Sequence, residues 1–431
     1  MSGTGIVRWT GFTAGEILAL VNQDSLAQHV DDSAFLWHLR QLAVDAPQYA
    51  LADIVRLDGR VDAHIDGLRV AGDAAWPVIA RSFSFEQGYE IFPKMVLAVE
   101  AQATSHLDEI HDCLCTKPEL LRGVAGALAW VQTGSEAEID SLSRAENPVM
   151  REAAFAACAI LRREHPGIRL GLSSSHAGLR ASAIQAAGQL GKVEWLPEIE
   201  HAIGDGSPDC SFQGLWAAIR LGSRRLSHFS ALKAIAEADG HHAREAAILA
   251  CRAMSLDEAI GWHSTLARNN TCTRLAAIGA GAIGDPRLVP ALIALMEIDE
   301  FARVAGESFS TITGADLSYL DLTRPRPENF EAGSGEAADL VIREDDELPW
   351  PDARLVGQWW QKHRGSFIAG ERYLAGNPLT TGHLLQVIAQ GKQRQRSSAA
   401  LELALSAPGE PMFEVRAPAR VQLERLRAWN S

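Results

Sequence analysis

The chain has 431 residues, 47% of them hydrophobic and 22% charged, with a formal net charge of −14. That composition excludes a disordered polymer, and the acidic balance argues against a general nucleic-acid binder, which needs a basic face. No run of about 18 consecutive apolar residues is present to cross a membrane. Residues 1–9 hold one Arg and no apolar core, so no signal peptide is expected and a cytoplasmic location follows by default.

The N-terminal stretch reads as three amphipathic helices. Residues 29–43 place Phe35, Leu36, Trp37, Leu39 and Leu42 around one apolar face. Residues 49–58 and 61–70 turn Leu51, Ile54, Val55 and Leu57, then Ile65, Leu68 and Val70, inward. Residues 1–87 are expected to form a helical cap.

From residue 88 a register recurs about every thirty residues: Arg, two residues, a small residue, an apolar residue, more small residues, often closing on Leu-Gly or Ile-Gly. Arg180–Gly191 and Arg274–Gly284 are the clearest copies. The Arg position, or its stand-in, falls at Lys94, Arg122, Arg151, Arg180, Ser211, Arg244, Arg274 and Arg303. A sustained period of this size marks stacked repeats. Each unit reads as a helix pair, with turn chemistry at 204–208 and at Asp285-Pro286. After Pro286, Leu288, Val289, Leu292, Ile293, Leu295 and Met296 make a helical stripe. The small residues let neighbouring helices approach closely, and the leading Arg is expected to reach a carboxylate or carbonyl of the adjacent repeat. Over residues 88–315 the pattern resembles HEAT-type repeats, in the short form also found in phycobilin-lyase-like proteins. The expected fold is therefore all-α, a HEAT-like α-solenoid.

Residues 316–352 break the register. They hold eleven Asp or Glu and three Arg, with Pro325, Pro327, Pro349 and Pro351. Two readings stay open for this acidic insertion: a solvated loop, or a docking segment for a basic partner. Helical patterning returns over 353–431, at Val356, Trp359 and Trp360, then at 384–388, 396–405 and 419–429. Trp359 and Trp360 point about 100° apart on a helix. Either one ring packs while the other reaches outward, or both are buried between the insertion and the C-terminal repeats. The candidate partner-binding residues are Trp350, Trp359, Trp360, Asp345, Asp346 and Glu347.

The chain offers little catalytic chemistry. Gly279-Ala-Gly281-Ala-Ile-Gly284 matches a dinucleotide fingerprint but sits inside a motif helix, where glycine serves close packing. His241-His242 with Asp239 lack metal-ligand spacing, and Asp239 reads as a helix cap. His106 and His111, five apart, do not share a helix face. Ser173-Ser174-Ser175-His176 falls in a loop before a repeat, where Ser and His cap helices. Cys158 and Cys251 read as small buried hydrophobes. No catalytic, cofactor or metal residues are assigned, and a non-enzymatic protein is expected.

Longer motifs carry a further resemblance. They are His29–Arg40, Leu51–Val61, His64–Gly72, Phe309–Gly314, Leu348-Pro349-Trp350-Pro351, Trp359-Trp360 and Gly370–Gly376. Together they are similar to the HEAT-repeat-containing accessory proteins encoded beside type VI secretion spike genes in proteobacteria. The resemblance implies an adaptor or chaperone that loads an effector onto the spike, with a spike, PAAR-like or effector protein as partner. A phycobilin-lyase-like enzyme and an immunity protein against a neighbouring toxin are the alternatives.

Overall fold

The computed structural model describes residues 22–82, 87–238, 240–328 and 345–429. Asp239 and residues 329–344 of the expected insertion lie outside them. The described chain is all-α except for one antiparallel hairpin, β1 (Tyr373–Leu374) with β2 (Asn377–Pro378). Among these residues no helix is long and apolar enough to cross a membrane. The chain divides into two compact units: residues up to 45 with 51–217 and 414 onward, and residues 46–50 with 218–413.

The first unit opens with α1 (Gln23–Ala43) packed on α2 (Leu51–Ala71). Asn22 caps α1, its side-chain oxygen accepting from the Asp24 and Ser25 amides. α2 is one helix where the sequence suggested two. Ile54, Asp58, Val61, Ile65 and Leu68 are all buried at alternating spacings of four and three, so a single stripe runs its whole length. Gly59 does not break it, since it sits exposed with open space where a Cβ would go. α3 (Ala75–Ser82) follows.

Helix pairs come next: α4 (Ile91–Ala101) with α5 (Thr104–Thr116), α6 (Leu121–Trp130) with α7 (Ser135–Ser143), α8 (Pro148–Leu161) with α9 (Pro166–Gly171), and α10 (Ala177–Leu190) with α11 (Leu196–His201). α4, α6, α8 and α10 each pack on the next. Their small residues permit this approach. A Cβ on Gly188 would stand 2.8 Å from the Ala217 Cβ, on α12 (Pro208–Arg220). Trp37 joins α1 to the first motif helix by stacking on Phe92, ring centroids 4.7 Å apart.

The second unit contains α13 (Leu226–Glu237), α14 (Ala243–Ala253), α15 (Leu256–Leu266), α16 (Thr273–Ile283), α17 (Val289–Leu295) and α18 (Asp299–Thr313). After the insertion come α19 (Ala353–His363), α20 (Thr381–Gln390) and α21 (Gln393–Ser406). α14, α16 and α18 again stack in order, and α19 packs on α17. Val289, Leu292, Phe309, Ile312, Val356, Trp360 and Tyr373 share one core. The strip 46–50 belongs here: Tyr49 accepts the Gln393 amide at 2.7 Å, and Ala50 bridges Lys392.

All eight register positions fall within the first five residues of a helix, on α4, α6, α8, α10, α12, α14, α16 and α18. The opposite, C-terminal ends of these helices leave main-chain carbonyls without intrahelical donors. Residues from the C-terminal third supply donors to several of these ends. In the first unit, α22 (Ala419–Trp429) sends Arg420 to the carbonyls of Ala129 and Trp130, and Arg425 to that of Leu161. In the second, Arg372 donates to Cys251 and Met254, each at 2.8 Å. The Tyr373 amide reaches Gly284, and the Ala375 and Gly376 amides reach Thr311 and Ile312. Gly284 itself ends α16 at φ +76°, a conformation that suits glycine.

A further enclosed arginine network ties α1 to the C-terminal strip. Arg40, 2% exposed, donates to Asp58 at 3.0 Å and to the carbonyls of Arg416 and Ala417 at 2.6 Å. Asp58 also accepts the Ala419 amide at 2.6 Å. Replacing Arg40 with Ala would leave a buried carboxylate and two carbonyls without this donor. We expect a loss of about 3–5 kcal/mol in chemical denaturation, and a smaller loss for the double replacement Arg40→Met with Asp58→Leu.

Candidate functional site

In the second unit, the stacking of α14, α16 and α18 brings Arg244, Arg274 and Arg303 to bear on one carboxylate. Asp345 receives a two-pronged ion pair from Arg274, with N–O distances of 2.5 and 2.8 Å. Its main-chain carbonyl accepts from Arg303 at 2.7 Å, and Arg303 also lies 3.4 Å from the Asp346 carboxylate. Glu307 on α18 completes the charge pattern, paired with Arg394 at 2.7 Å and Arg244 at 3.4 Å. Burial alone would raise the Asp345 pKa. The Arg274 hydrogen bonds, with the charges of Arg274, Arg303 and Arg244, outweigh it and hold the carboxyl below its ordinary range.

Trp350 lies against two cations. Arg303 lies 5.0 Å and Arg324 5.6 Å from its ring centroid, within cation–π range. Arg324 is held by Asp299 at 2.6 Å and by the Pro351 carbonyl at 3.1 Å. The two described ends of the insertion close on each other: the Arg324 amide donates to Trp350, the Asp352 amide to Leu322, and Thr323 bridges Pro351. Leu317, Leu322, Leu348 and Trp350 are buried. These ends are therefore packed elements, while the central part of the loop reading falls on residues outside the described ones.

The six sequence candidates separate into groups. Asp345 and Trp350 are buried and Asp346 is exposed, and all three meet Arg303. Exposed Glu347 accepts from Gln48 at 3.0 Å. Trp360 is buried in the core, 5.3 Å from Phe367. Half-buried Trp359 meets Phe309 edge-on at 5.6 Å and stacks on His363 at 4.1 Å. The sequence did not point to Arg324, which has no register to mark it. It did mark Arg244, Arg274 and Arg303, but as links to the adjacent repeat. Arg180 follows that expectation, pairing with Asp205 at 2.6 Å. Arg274 and Arg303 instead reach the insertion, and Arg244 reaches α18, beyond the intervening α16.

Several other chemistry-bearing residues do structural work. His176 Nδ1 accepts the Leu179 amide at the start of α10. His106 stacks on Trp76 with centroids 3.9 Å apart, and His111 meets Glu138 at 2.6 Å. His241 and His242 directly precede α14. Cys158 and Cys251 are fully enclosed, and burial pushes their thiols up to about 11 and about 12. Gly281 lies where a Cβ would stand 2.8 Å from the Ser308 hydroxyl, a packing role. In the first unit a cleft of about 460 Å³ is lined by Leu172, Arg180, Glu198, His201, Ala202, Gly204 and Asp205. No family model, curated protein or solved structure matches the chain.

A depressed carboxylate pKa contributes stability that is present above the unfolded value, 3.8 for Asp345, and is lost as pH falls through the lower folded value. Wild type should therefore melt above Asp345→Asn at neutral pH. The gap should hold down to about pH 4 and close below it. A gap that closes instead between pH 5 and 7 would assign the effect to another group.

Proposed function

We propose that the protein is a HEAT-like α-solenoid and acts as a non-enzymatic protein-binding scaffold. The observation that supports this best is the recurrence of one helix-start register on eight helices, with the motif helices of each unit packed directly on one another. Repeats of this kind bury a core by stacking and present an extended face to a partner. The motifs from His29 to Gly376 that resemble type VI secretion accessory proteins support a narrower reading. On it, the protein is a cytoplasmic adaptor or chaperone that brings a spike, PAAR-like or effector protein to the secretion machine.

Affinity capture of the tagged full chain, from cells that express the neighbouring spike and effector genes, tests this reading. Mass spectrometry should recover at least one of those two proteins at near-stoichiometric yield. Recovery of neither, with both expressed, would contradict the adaptor role.

A further inference from the structure

We propose that the arginines at the starts of α14, α16 and α18 form a docking groove for an acidic, tryptophan-bearing peptide of a partner protein, with residues 345–350 of the chain occupying it as an internal ligand. This deepens the scaffold reading and rests on it.

Three features converge. The first is electrostatic. Arg244, Arg274 and Arg303 stand near the N-terminal ends of successive packed helices. A helix N-terminus carries partial positive charge, so a cation there is disfavoured and an anion welcomed. Three stacked cations compound that, and the groove as built calls for carboxylates. Glu307 supplies one from within the repeats, and Asp345 and Asp346 supply two from the insertion.

The second is the form of the occupant. Its recognised groups lie on one short run: a carboxylate and a carbonyl at Asp345, a second carboxylate at Asp346, and an indole five residues after Asp345. A planar guanidinium matches a carboxylate in two-pronged geometry, and Arg303 and Arg324 both lie over the ring. Such spacing of charge and aromatic anchor is how a groove reads a linear peptide.

The third is the way the occupant is held. The side chains of Arg274, Arg303 and Gln48 hydrogen-bond residues 345–347. Another peptide with the same carboxylate spacing would satisfy the same donors. α16 and α18 pack on one another through Ala277, Ile278, Val304, Ala305 and Phe309, so their contact does not depend on the segment.

The test uses purified full-length protein and a fluorescently labelled peptide, Asp-Asp-Glu-Leu-Pro-Trp-Pro-Asp, which copies residues 345–352. In wild type the tethered segment competes at an effective concentration on the order of millimolar, so anisotropy should show weak binding. Asp345→Asn with Asp346→Asn discharges the internal ligand, and affinity for the peptide should rise at least tenfold. Adding Arg274→Glu to that variant should abolish the gain, as should a peptide with asparagine in place of its first two aspartates. Trp350→Ala, which removes the ring that Arg303 and Arg324 face and so weakens the segment's hold on the groove, gives a second route to the same gain should the first variant misfold. The proposal is overturned if either variant, folded by circular dichroism, binds the peptide no better than wild type, or if the uncharged peptide binds equally well. A negative result beside a successful affinity capture would reject the groove and leave the scaffold reading in place; peptide binding beside a failed capture would keep the groove and reject the secretion-adaptor role.

Discussion

The constraint on which the structure depends is the supply of hydrogen-bond donors to the C-terminal ends of short helices. Every α-helix leaves four carbonyls without intrahelical partners, and in helices of ten to fifteen residues those ends are a large share of the backbone. Here the chain returns to them. Arg420 and Arg425 reach the ends of α6 and α8 in the first unit, and residues 372–376 reach α14, α16 and α18 in the second. Arg220, itself fully enclosed, works in the other sense and donates from the end of α12 to the carbonyls of Pro408 and Glu410. Arginine suits the task because its planar fork serves two carbonyls at once, and because positive charge is favoured at a helix C-terminus.

That arrangement gives the two ends of the motif helices different roles. The C-terminal ends are occupied by the chain's own backbone and arginines. The N-terminal ends carry the repeated arginine, which opposes the helix dipole and therefore needs an anion. Lys94 finds Glu109, Arg180 finds Asp205, and Arg274 finds Asp345. The first two partners come from neighbouring repeat elements, the third from the insertion. Asp345 and Asp346, outside the register, thus answer Arg274 and Arg303, inside it.

Much of the framework was legible in the sequence, because packing between close helices imposes small residues at a fixed period and leaves a visible mark. Helix limits near 353, 384, 396 and 419 followed from apolar stripes for the same reason. The continuity of α2 was missed because Gly59 reads as a break, whereas the stripe from Ile54 to Leu68 passes beneath it. The paired ends of the insertion were missed because their bonds run backbone to backbone, at Thr323–Arg324 and Trp350–Asp352. The arginine caps were illegible for a related reason: a carbonyl acceptor leaves no residue signature, so nothing beside Leu161 or Met254 announces that Arg425 or Arg372 will arrive there. At the candidate site, the acidic run and Trp350 were visible as composition, and only the fold showed which arginines they meet.

Hydrogen–deuterium exchange on the full chain tests most directly whether the C-terminal arginines hold the repeat helices at their ends. Against wild type, Arg420→Ala and Arg425→Ala should show faster exchange confined to the last turns those arginines serve. Those are the amides near Val131 for the first variant and near Arg162 and Arg163 for the second, with α1 and α2 unchanged. Undiminished protection at both ends would contradict it.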